Sequence, residues 1–210
     1  MGKPVSTDQS HAVMAALATN VDWSELDLEV LQGIIRTSKD AGKQFTAFLK
    51  NGGKMIIGKI NSIFIDRSKP FDPEKFIGKG WSIEEQDERS LSITELDLDK
   101  VQFKTCFKSG ENLIKGEEKL KRLKADGRVR LDAKIFQMFW GNLHLIPGSW
   151  KEKVNGNIRF ILFDGTILRG PDGDRYALSL YWYDGEWRWH CRWLEGGWIA
   201  NILSVVLASI

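Results

Sequence analysis

Near the end of the chain, two alternating stretches, Tyr176–Tyr183 and Glu186–Leu194, flank the dipeptide Asp184-Gly185. Asp-Gly between strand-like runs is the strongest short-range hairpin signal, because both central residues of the tight turn need positive φ. With the turn fixed, the two-residue period of a strand sorts the side chains onto two faces. Leu178, Leu180 and Trp182 share one face of the first strand, and Trp187, Trp189 and Trp193 share one face of the second. Opposite them lie Ser179, Tyr181 and Tyr183, then Arg188, His190 and Arg192. Five of the nine tryptophans, the last being Trp198, fall within Tyr176–Ile210. Each ring buries roughly 150–250 Å², so the tryptophan face is expected in the core. The other face has the polar, aromatic, mixed-charge composition of a binding surface. Two other readings give the same alternation: a solvated sheet face without function, or displayed tryptophans that stack sugars or bases. The leucines that align with Trp182 favour the core placement.

The rest of the chain must support this hairpin. A length of 210 residues suits one large domain, or one domain with an extension, and can enclose a core without disulfides or metals. A formal net charge of +2 gives no whole-chain signal for nucleic acid or membranes. Cys106 and Cys191 are far apart and, with His11, His144 and His190, offer no metal-ligand spacing. Free thiols are expected, with one disulfide left open. Met1–Ser10 is polar, and no apolar run is long enough to span a bilayer, so a cytoplasmic location without membrane insertion is the default expectation.

Helical patterns occupy His11–Thr19, the stretch after Ser24 (where Ser24 and Asp27 resemble a capping box) and Asp40–Lys50, which Asn51-Gly52-Gly53 stops. These make an N-terminal helical segment over 1–53, with Phe45 and Phe48 expected in its core. A second domain is expected over 54–210. Strands are expected at Met55–Ile57, Ile60–Ile65, Phe76-Ile77, Trp81–Ile83, Leu91–Leu98 and Val101–Phe107, with Glu84–Arg89 as a solvated loop. Helix returns at Glu111–Lys124, and Asp132 is placed to cap another that carries Ile135, Phe136, Phe139 and Trp140 on one face. His144 is expected to be packed. Ile158–Phe163 and Thr166–Leu168 read as strands around a tight turn at Asp164-Gly165, followed by a turn at Gly170–Asp174.

Catalysis has little support. No Ser/His/Asp or Cys/His spacing is interpretable, no phosphate loop is present, and His190 and Cys191 point to opposite faces of a strand. The chain is therefore expected not to be an enzyme and to need no cofactor. The basic stretch from Lys115 to Lys134 offers a nucleic-acid-binding alternative, but Glu117, Glu118, Asp126 and Asp132 offset its charge and favour a solvated helix pair.

The run from Phe163-Asp164-Gly165-Thr166 through Tyr181-Trp182 and Trp187-Arg188-Trp189 to Val206-Leu207-Ala208-Ser209 resembles the C-terminal variable region of the variable proteins of diversity-generating retroelements. The resemblance continues upstream through Phe71-Asp72-Pro73, Phe76-Ile77-Gly78, Gly116–Leu123 and Leu131–Lys134, and so covers about Pro70–Ile210. It implies an α+β, C-type-lectin-like mixed fold with a largely antiparallel C-terminal sheet and an N-terminal helical extension. It also implies a variable region at about 176–210, where error-prone copying at template adenines alters a ligand-binding surface. The ligand expected for such a surface is macromolecular, with protein the expected partner, and the offset charge of the basic stretch disfavours nucleic acid.

Randomising both adenines of AAC or AAT cannot give Trp, Met, Lys, Gln or Glu. Ser179, Tyr181, Tyr183, Asp184, Arg188, His190, Cys191, Arg192, Gly196, Gly197, Ile199, Asn201 and Ile202 are reachable, whereas Trp182, Trp187, Trp189, Trp193 and Trp198 are not. Apart from Cys191, the reachable positions are the expected variable face, and the tryptophans the expected scaffold. Glu186 and Glu195 need a different template codon. The Glu-Pro-Asn calcium triplet of carbohydrate-binding C-type lectins is absent, so neither calcium nor sugar specificity carries over.

Overall fold

A computed structural model describes residues 6–50 and 62–207. The chain divides into two compact units, Met1–Gly58 and Lys59–Ile210. The expected division at 53/54 and the expected strand at Met55–Ile57 lie outside the described residues.

In the first unit, α1 (Thr7–Asn20) starts from a capping box. The Ser6 hydroxyl accepts the Gln9 N–H, and the Gln9 side chain accepts the Ser6 N–H. The helices α2 (Leu28–Arg36) and α3 (Ser38–Lys50) follow. Ser24 does not cap α2. It lies in a short 3₁₀ turn capped by Asp22, and the Asp27 carboxylate takes the Glu29 N–H at 2.7 Å. Phe45 and Phe48 stack at 5.9 Å but stay half-exposed, so they are a local pair and not an enclosed core.

The second unit is mixed α+β with an antiparallel-dominated sheet. Its first part runs β1 (Ser62–Phe64), α4 (Pro73–Phe76), β2 (Ser82–Gln86), α5 (Glu88–Leu91), β3 (Glu95–Asp97) and β4 (Val101–Lys104). Then come β5 (Ile114–Lys115), α6 (Gly116–Ala125), β6 (Val129–Arg130) and α7 (Ala133–Gly141). Last are β7 (Phe160–Arg169), β8 (Arg175–Tyr183), β9 (Glu186–Trp193), β10 (Gly197–Trp198) and β11 (Ile202–Leu207). The main sheet is ordered β4-β11-β7-β8-β9, with β2 added to β7 and β6 added to β11. Among the described residues, only β11 and β7 run parallel.

Several expected elements change. Phe76 ends a short helix, because Asp72 accepts the Lys75 N–H and Pro73 sits in the first turn. Glu84–Arg89 is not a solvated loop but parts of β2 and α5, and Asp87 is buried. Its charges meet partners from distant elements: Arg175 reaches Glu84 and Glu85, and Lys124 reaches Glu85 at 2.8 Å. His144 is exposed, in a 3₁₀ turn.

The largest change is at Asp164-Gly165, where no turn occurs. β7 runs through it, pairing with β11 on one edge over Phe160–Leu162 and with β2 over Thr166–Arg169. Its register with β8 shifts between Phe163 and Leu168, the mark of a bulge. Gly165 is required there because its missing Cβ would land against the backbone of Arg130 and Leu131, which its own N–H approaches at 2.9 Å from the Leu131 carbonyl.

Alternation splits the sheet between two cores. Ile161, Phe163, Leu178, Leu180 and Trp187 pack with Phe136 and Phe139 of α7. Leu162 and Ala177 face the other way and pack with Leu120 of α6, Ile114, Leu194, Trp198 and Ile202. The helices α6 and α7 therefore cover opposite faces of the sheet, which is not the arrangement of a helix-turn-helix reader.

Candidate functional site

The hairpin forms as its sequence dictates. Asp184 and Gly185 take φ of 52° and 81°, and β8 pairs with β9 without interruption from Tyr176↔Trp193 to Tyr183↔Glu186. On the α7 side, Trp187 is 6% exposed, and its ring lies 5.5 Å from that of Trp182. The Trp189 ring meets Phe76 at 5.2 Å and Phe136 at 6.2 Å. Trp198 is buried in the second core, where its indole N–H donates to the Trp193 carbonyl. Trp193, the last residue of β9, departs from the expected frame: it is 46% exposed.

The opposite face is only partly displayed. Tyr183, Asp184 and His190 are exposed, and Tyr181, Arg188 and Arg192 are half-buried. Gly197 and Ile199 are exposed and Gly196 is half-buried. Three expected surface residues are not displayed. Ser179 is fully buried, since α6 and its neighbours cover that part of the sheet, and its hydroxyl donates to the His190 carbonyl at 3.0 Å. Asn201 is buried and ties β11 to the start of β7, donating from Nδ2 to the Ile158 carbonyl at 2.7 Å. Ile202 is buried in the second core, and its carbonyl accepts from Lys119.

The displayed residues of β8 and β9 form one strip along the hairpin. The register sets Tyr181 against Arg188, and Phe160 beside Tyr181, with ring centroids 4.8 Å apart. The Arg192 guanidinium lies 3.7 Å from the Phe160 centroid. Burial pulls the Arg192 pKa below the ordinary arginine value, and its Nε has no hydrogen-bond partner among the described residues. Arg188 is held by Glu186 at 2.7 Å and lies 5.1 Å from the Tyr183 ring. A shallow groove at the hairpin tip is lined by Lys153, Ile158, Trp182, Tyr183 and Asp184, with the Lys151 ammonium 3.8 Å from the Trp182 ring. Phe160, Lys151 and Lys153 escape sequence reasoning, because strand pairing brings the first and tertiary packing the two lysines beside the hairpin.

Burial pushes the Cys191 thiol up to about 11, which leaves it protonated and a poor nucleophile at neutral pH. Among the described residues, no group of three or more His, Cys, Asp or Glu side chains is placed to hold a metal ion, and no helix is long and apolar enough to cross a membrane.

The basic stretch is largely occupied within the fold. Lys115 pairs with Glu195, Arg122 with Glu111 and Glu118, and Arg130 with Glu85 and Asp87. Lys119 is buried, and burial lowers its ammonium to about 8.

A scan against protein-family models finds no match, and searches of curated proteins and of solved structures likewise return none.

Proposed function

We propose that this chain is a non-enzymatic binding protein, a variable protein of the diversity-generating-retroelement type, displaying a changeable surface on a fixed C-type-lectin-like scaffold. The observation that carries this reading is the division within one hairpin. Trp187 and Trp189 are locked into aromatic contacts on one face, while Tyr183, Asp184 and His190 stand exposed, away from that face. A surface whose residues contribute little to the fold can change without loss of the scaffold, and a rigid sheet lowers the ordering cost of binding. Tyr and Arg, the types most enriched at binding hot spots, supply Tyr181, Tyr183, Arg188 and Arg192. On this reading the changeable set is Tyr181, Tyr183, Asp184, Arg188, His190, Arg192, Gly196, Gly197 and Ile199, while the burial of Ser179, Asn201 and Ile202 supports reading them as scaffold.

The test lies in the DNA beside the gene. The reading expects a near-copy of the codons for about Tyr176–Ile210, differing mainly at adenines, next to a reverse transcriptase gene. A neighbourhood without such a repeat contradicts it.

A further inference from the structure

One arginine on the displayed face is unlike the rest. Every other described arginine donates a side-chain hydrogen bond to an acceptor within the fold. Among the described residues, Arg192 has neither a hydrogen-bond partner nor an ion pair. Its Nε is buried, whereas its two Nη groups are open to solvent. A half-buried cation without an acceptor is costly, and its cost falls when a ligand supplies one. The guanidinium is nevertheless fixed in place. It lies 3.7 Å from the Phe160 centroid, and that ring is held in turn by Tyr181 at 4.8 Å. Stacking uses the flat face of a guanidinium and leaves the N–H donors in its plane free to bond.

The surroundings indicate the chemistry of the ligand. Arg188, the other arginine of this face, is already taken by Glu186 at 2.7 Å. One permanent, unpaired guanidinium therefore remains. A carboxylate matches it, with a single negative charge and two coplanar oxygens that accept parallel N–H bonds. A phosphate dianion would be left half-neutralised. Tyr181 is close enough to interact electrostatically with Arg192, and its hydroxyl has no hydrogen-bond partner among the described residues, so it is a further donor for the same group. We propose that Arg192, laid on Phe160 and flanked by Tyr181, is a carboxylate-binding subsite of the displayed face, gripping one acidic group of the ligand end-on through Nη1 and Nη2. This deepens the displayed-face reading and rests on it. Phe160 lies outside the stretch 176–210, so on that reading a constant ring floors a changeable position and orients whatever side chain stands there.

The test follows the isotope-labelled full chain by NMR while sodium acetate, or a capped tripeptide with a central glutamate, replaces sodium chloride at constant ionic strength. The expected result is a saturable shift of the Arg192 side-chain N–H signals and of the Phe160 and Tyr181 ring signals with both probes. Tighter binding of the peptide assigns the carboxylate to a protein side chain; equal or weaker binding assigns it to a small free acid. Arg192→Gln is expected to weaken the response of the two rings by on the order of tenfold or more. Arg192→Lys, which keeps the charge and loses the planar fork, is expected to weaken it too. An unchanged melting temperature of each variant is the check on folding. The absence of a saturable shift, an undiminished response in Arg192→Gln, or inorganic phosphate binding at least as tightly as acetate would each overturn the proposal. A negative titration leaves the displayed-face reading standing, since the DNA beside the gene decides that.

Discussion

At the scale of single residues, the hairpin predicts two very different responses to truncation. Trp187 fills space between Trp182 and the α7-side core, so Trp187→Ala is expected to cost about 3–5 kcal/mol. Tyr183, Arg188 and His190 replaced together by alanine are expected to change stability by within about 1 kcal/mol, because the contacts of Arg188 with Glu186 and Tyr183 are solvent-screened. Denaturant unfolding of both variants measures the difference; marked destabilisation of the triple variant would show that face to be core. Lys119 gives a pH-dependent prediction. Its ammonium titrates at about 8 in the fold, against 10.5 when free. Above about 8, the unfolded chain holds the proton that the folded chain has released, so this residue's contribution to stability rises with pH toward 10.5. Between about pH 7 and pH 9, the parent should gain about 1 kcal/mol on Lys119→Met. A gap that does not change with pH contradicts this account of the buried lysine.

At the scale of elements, the bulge in β7 is as demanding as the hairpin turn. Gly165→Ala is expected to destabilise by about 3 kcal/mol or more, because the added carbon meets main chain on both Arg130 and Leu131. Gly141→Ala at the end of α7, where an added Cβ meets nothing within 4 Å, should be neutral or stabilising by about 0.5 kcal/mol. Thermal unfolding compares the two, and equal melting temperatures would remove the bulge as a constraint. This pair also shows what could be read in advance. Asp184-Gly185 and Asp164-Gly165 are the same dipeptide between strand-like runs. The first is a turn and the second a bulge, because the need for Gly165 comes from the Arg130 and Leu131 backbone, more than thirty positions away in sequence. The cap by Asp132 on α7 was legible, since its partners are the next N–H groups, on Lys134 and Ile135, both at 2.9 Å. The Glu84–Arg89 run was not, as its cationic partners Lys124, Arg130 and Arg175 arrive from other elements. Ser179 follows the same logic: alternation assigned its face, but the cover over that face comes from α6.

At the scale of the molecule, the two units differ in how they are held. None of the side chains described between residues 6 and 50 is fully buried, whereas the second unit encloses cores on both faces of its sheet. Amide exchange is expected to be fast in α1 and slowest in the centre of β7, where eight consecutive residues are buried. Comparable protection in both would contradict that ordering. The wider claim is that the terminal hairpin joins a fixed frame to a replaceable face, and a folding-scored library measures it directly. One pool randomises Tyr181, Tyr183, Arg188, His190 and Ile199, and a second randomises Trp187, Trp189 and Trp198, each sorted for protease resistance of the whole chain. The account predicts that most members of the first pool stay folded and few of the second do. Equal survival in the two pools, or loss of folding in the first, would contradict it.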